Sequence, residues 1–91
     1  MIVELDVVVK SHDPNILNRA KSIAETFVRR TLEELEEVKS VGEITWDFEA
    51  LSKDRTAIRL EGKAEIDGIL EDDIHKEEKI PGGVLYISIF A

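Results

Sequence analysis

Ninety-one residues, a net charge of −8, 43% hydrophobic content and no cysteine narrow the possibilities before any motif is considered. A chain this short buries only about 60 to 65% of its unfolded surface, which leaves room for one domain, residues 1–91, with a single core. Without cysteine there are no disulfides, thiolate zinc sites, iron–sulfur clusters or cysteine nucleophiles, and the acidic balance disfavours phosphate backbones and anionic lipid, so neither nucleic acid nor a membrane is expected as a partner.

No apolar run approaches the roughly 18 residues that suggest a membrane-spanning helix. Met1 leads directly into the strand-like Ile2 to Val9 without the basic start and cleavage site of a signal peptide, and a cytoplasmic location is expected. Charged residues make up 35% of the chain, glutamine is absent, and the only asparagines are Asn15 and Asn18. That composition is the one thermophile proteins show.

Ile2 to Val9 places Val3, Leu5, Val7 and Val9 on one face and Glu4, Asp6, Val8 and Lys10 on the other, the period of a half-buried strand. Ser11-His12-Asp13-Pro14 then signals a helix start, with Asp13 as N-cap and Pro14 at the first helical position, where a missing N–H costs nothing. Leu17, Ala20, Ala24, Phe27, Thr31, Leu35 and Val38 recur at steps of three or four, widened by Ile16, Ile23, Val28 and Leu32. This predicts one helix from Pro14 to about Lys39, roughly 39 Å at 1.5 Å per residue, with Gly42 as its stop. Glu33, Glu34, Glu36 and Glu37 crowd the end where the helix dipole disfavours anions, and Arg29 and Arg30 offset part of that.

From Ile44 the apolar positions alternate through Trp46, Phe48 and Ala50, and alternation returns at Ile58, Leu60, Ala64 and Ile66. Two antiparallel strands are predicted, joined by a three-residue loop Ser52-Lys53-Asp54 with Asp54 left-handed. The corresponding register sets Trp46 opposite Leu60, Phe48 opposite Ile58, Asp47 opposite Arg59 and Glu43 opposite Lys63. Beyond the Asp67-Gly68 turn, the acidic Ile69 to Glu78 reads as a loop or one to two helical turns. Ile80-Pro81-Gly82-Gly83 is a second turn, and Val84 to Ala91 a last strand.

Together these elements predict an α+β two-layer sandwich: one long helix on a four-stranded, mainly antiparallel sheet in the order β-α-β-β-β, with the third strand between the first two. This is a ferredoxin-like or strand-helix-strand-strand arrangement without a full second helix. In order of elements, residues 2–66 resemble the strand-helix-strand-strand folds, among them the dodecins, whose strand-two tryptophan stacks on a flavin. Trp46 occupies a comparable place, and the resemblance implies a small-molecule or flavin-type binder through Trp46. The longer helix and the additional last strand depart from that pattern.

Three functional expectations follow. Asp67, Glu71, Asp72, Asp73 and His75, with Glu77 and Glu78 nearby, are the densest set of hard-cation ligands, suited by type to calcium or magnesium but not spaced as an EF-hand. His12, the other histidine, stands beside a helix start where free amides attract anions, a place Asp13 itself fills. No serine or cysteine motif completes a triad and no glycine pattern forms a phosphate loop, so catalysis is not the expectation. The leading one is a non-catalytic module acting by self-association and binding. Its strand 84–91 presents Val84, Tyr86, Ser88 and Phe90 on an outward face that is charged in the other strands, and the expected assembly is a homodimer through that face and edge.

Overall fold

A computed structural model describes residues 1–91 as β1 (Ile2–Ser11), α1 (Pro14–Asn18), α2 (Ala20–Glu33), β2 (Val38–Leu51), β3 (Ala57–Gly68), β4 (Ile74–Ile80) and β5 (Gly83–Phe90). The strands form one sheet in the order β2-β3-β1-β5-β4, and every neighbouring pair is antiparallel. The class is α+β with the helices packed on one sheet face. The sheet has five strands rather than four, and the helix is shorter than predicted and broken.

The centre follows from the period of two. Val3, Leu5, Val7 and Val9 are buried, and their partners across β1, Leu60 and Ala64 on β3 and Leu85, Ile87 and Ile89 on β5, are buried too. Burying each such large aliphatic side chain is worth about 1.5 to 3 kcal/mol. Ile16, Leu17, Ala20, Ala24, Val28 and Leu32 close this core from the helix side.

The Asp13 carboxylate accepts from the Asn15 amide at 2.9 Å, as an N-cap should. The helix then breaks at Arg19, whose φ of −109° and ψ of 18° separate α1 from α2. α2 stops at Glu33 instead of Lys39, because two forces act against the periodic pattern. The run of glutamates sits at the negative end of the dipole, and Val38 to Val41 find ladder partners on β3 between Gly68 and Ile66. Val38 is buried at the start of β2, and its spacing from Thr31 and Leu35 also fits an apolar helical stripe, which is why periodicity assigned it to the helix. Gly42, predicted as the helix stop, lies within β2, and the Arg29 guanidinium donates to the carbonyls of Val41 (2.8 Å) and Gly42 (3.1 Å).

The β2–β3 register is also corrected. The connection is five residues, Ser52 to Thr56, with Arg55 rather than Asp54 left-handed at φ 58°. Asp54 instead organises the turn, accepting from the hydroxyls of Ser52 and Thr56, both at 2.8 Å. Three irregularities in β2 then shift the pairing. Trp46 faces Gly62, Phe48 faces Glu61, Ala50 faces Arg59 and Thr45 faces Lys63. An extra residue at a bulge reverses which face the following side chains take, so Phe48 moves to the solvent side, 47% exposed. The predicted Asp47–Arg59 pair is replaced by one from β1: Arg59 holds Asp6 through two hydrogen bonds, Nη2 to Oδ2 at 2.7 Å and Nε to Oδ1 at 3.3 Å.

The segment expected as loop or helical turns contains β4. Ile74 to Ile80 pairs along its length with β5, through a tight turn in which Pro81 and Gly82 (φ 82°) fill the two central places a type II turn favours for them. β5 is therefore an interior strand. The edges are β2, interrupted by its irregularities, and β4, with Lys76, Glu77, Glu78 and Lys79, both common ways of blunting an edge. No helix is long and apolar enough to cross a membrane.

Candidate functional site

The helices cover one face of the sheet and leave the other open. Register assigns the open face without ambiguity: Glu4, Asp6, Val8 and Lys10 of β1 stand beside Lys63, Glu61, Arg59 and Ala57 of β3 and beside Phe90, Ser88, Tyr86 and Val84 of β5. His75, Glu77 and Lys79 of β4 extend the last three of these rows. Val84, Tyr86, Ser88 and Phe90 thus share one face as expected, with Tyr86 41% exposed.

Several contacts hold these side chains in place. The Lys10 ammonium lies over the Tyr86 ring, 5.7 Å from its centroid. His75 Nδ1 lies 3.0 Å from the Ser88 hydroxyl, and its ring meets Phe90 edge-on with centroids 5.8 Å apart. Hydrogen bonding to Asp6, then the nearby charges of Asp6 and Glu61, raise the Arg59 pKa, so this guanidinium remains a fixed cation. The face is consequently an ordered mosaic of aromatic, aliphatic and charged groups.

The other sequence-derived candidates are scattered. Asp67 sits at the end of β3 across from Ser40. Glu71, Asp72 and Asp73 line a shallow depression with Leu35, Glu37 and Leu70, where Asp73 accepts the backbone amide of Ala91 at 3.1 Å. His75 turns to Ser88 on the open face. No group of three or more histidine, aspartate or glutamate side chains comes together in a way that could hold a metal ion.

Trp46 points to the helix side, where it packs against the core. Its ring lies across Gly62, and its Nε1 is buried without a hydrogen-bond partner. His12 is exposed beside a shallow cleft formed with Lys10, Ser11, Thr56, Gly82 and Gly83.

Phe48 is the part of the open face that periodicity misplaced, since only a bulge turns it outward. His75 belongs to this face as well, and the Pro81-Gly82 pair between two runs of strand-forming length was the signal that would have placed it there. Compared with models of known protein families, with curated proteins and with solved structures, the chain shows no match.

Proposed function

We propose that this chain is a non-catalytic binding module that acts by self-association through the open face of its sheet, as a homodimer. The observation that carries this reading is the cluster of Val8, Val84, Tyr86 and Phe90 around the β1–β5 pair on a face with no second layer. An antiparallel sheet can face water on one side, and it then alternates apolar-in and polar-out. β5 departs from that rule, presenting a tyrosine and a phenylalanine where β3 presents Arg59, Glu61, Lys63 and Glu65. Aromatic residues are enriched in protein interfaces relative to the remaining surface.

Sedimentation equilibrium at tens of micromolar tests the proposal, with twice the 10.3 kDa chain mass expected. A monomer mass throughout that range refutes it. The two other readings of the sequence have separate tests: amide shifts on titration with calcium or magnesium for the 67–78 segment, whose acids form no metal-holding cluster, and an absorption spectrum of freshly purified protein for a flavin-type ligand at Trp46, which packs against the core.

A further inference from the structure

We propose that the occupant of the open face is a second copy of this chain packed about a two-fold axis running across the strands, along the row Leu60–Val7–Ile87–Lys76. This rests on the self-association reading above and specifies its geometry. The four residues form one registered row, and Leu60, Val7 and Ile87 are fully buried on the helix side. The axis therefore lies above the backbone, on the open side.

The basis is a polarity of charge along the strands. Toward one end the open face carries Glu4, Asp6 and Glu61 with Lys63. Toward the other it carries Lys10, Arg59 and Lys79 with Glu77. A face-to-face homodimer is isologous, with one patch serving both copies, and packed sheets lie about 10 Å apart with strand directions within about 30°. The choice is thus between an axis along the strands and one across them.

An axis along β1 sets Glu4, Asp6 and Lys10 each against its own copy, and one along β5 sets Lys10 against Lys79, where like charges repel. An axis between the two strands pairs Arg59 with Glu77 but lays Glu4 over Phe90 and Lys10 over Val84, leaving both charges without a partner. The axis across the strands reverses the rows. Lys10 then meets Glu4 of the second copy, Arg59 meets its Glu61, and His75 meets its Glu77. β5 lies over β5, with Val84 against Phe90 and Tyr86 against Ser88. Each contact occurs twice. Apolar groups fall along the β5 column, with the charge pairs of β1 and β3 on one side of it and the polar His75–Glu77 contact on the other, the arrangement of an interface core within a polar rim. The twist between packed sheets displaces the outermost positions most, so the pairs near the axis set the alignment.

A charge exchange tests this packing. Glu4→Lys places two ammonium groups together at both symmetry-related contacts, as Lys10→Glu does with two carboxylates. Each is expected to weaken the dimer by about tenfold or more, while the double variant Glu4→Lys/Lys10→Glu, which rebuilds the pair in reverse, returns to within about threefold of the original affinity. Glu33→Lys makes the same change in net charge at an exposed position on α2 and is expected to leave affinity nearly unchanged. Circular dichroism and thermal melting confirm that each variant is folded. A dimer that responds equally to Glu4→Lys and Glu33→Lys, or a double variant as weak as the single ones, overturns this packing while self-association stands. A monomer at every concentration overturns both.

Discussion

Gly62 lies directly across the β2–β3 ladder from Trp46, and a β-carbon on Gly62 would come within 2.9 Å of the indole Cε3 and closer still to the Thr45 carbonyl oxygen. The absence of a side chain lets β2 pass near β3 and gives the indole a surface to lie on, a recurrent use of glycine within strands.

Gly62→Ala is accordingly expected to destabilise the protein by about 1 to 3 kcal/mol, the usual range for overpacking. The rigid obstacle is backbone, so the strand must move instead of a side chain. Chemical denaturation of the two proteins checks this, and equal midpoints would show that β2 yields without cost.

Leu32, fully buried on the last turn of α2, is the helix residue whose truncation should cost most. Leu32→Ala is expected to lose about 2 to 5 kcal/mol. Leu35, beyond the helix end and only partly buried, should lose less. If Leu35→Ala proved the costlier change, the helix would have to continue past Glu33.

Ser11 joins three elements at one end of the sheet. Its buried hydroxyl donates to the Gly82 carbonyl at 2.6 Å and accepts from the Asp13 amide at 2.9 Å. Ser11→Ala leaves both groups without that partner, and about 1 to 3 kcal/mol of stability should be lost. Faster exchange of the Asp13 amide would accompany the loss, while an unchanged exchange rate would count against the contact.

Asp54 makes the stability of the β2–β3 turn depend on pH. Hydrogen bonds from the Ser52 hydroxyl, then from the Thr56 hydroxyl and backbone amide, hold its pKa below the ordinary value of 3.8. A carboxylate whose pKa is lowered by folding contributes stability above its unfolded value and loses it as pH falls through the folded one. Asp54→Asn should therefore be the less stable protein at pH 7 and approach the parent at pH 2 to 3. Melting curves for both proteins across that range give the comparison, and a gap that widened in acid would reverse the sign.

Features that depend only on neighbours along the chain are legible in the residues. Val3, Leu5, Val7 and Val9 could face only one way once Ile2 to Ser11 was extended, because a strand alternates sides at every residue. The same rule placed Val84, Tyr86, Ser88 and Phe90 together, and Asp13-Pro14 marked a helix start through local hydrogen bonding alone. Tertiary structure decided what depends on a distant partner. Val38 satisfies a helical stripe and a strand equally well, and only pairing with Gly68 settles it. Bulges in β2 changed the facing of Phe48, since a ladder absorbs an extra residue only when a partner strand fixes the positions around it. Ile74 to Ile80 carries too few apolar residues to form a strand on its own account. It becomes one because β5, already held by β1, offers it a free row of amides and carbonyls. That pairing removed the edge expected of β5 and left the open face, with the aromatic residues period two had assigned to it, as the surface available to a partner.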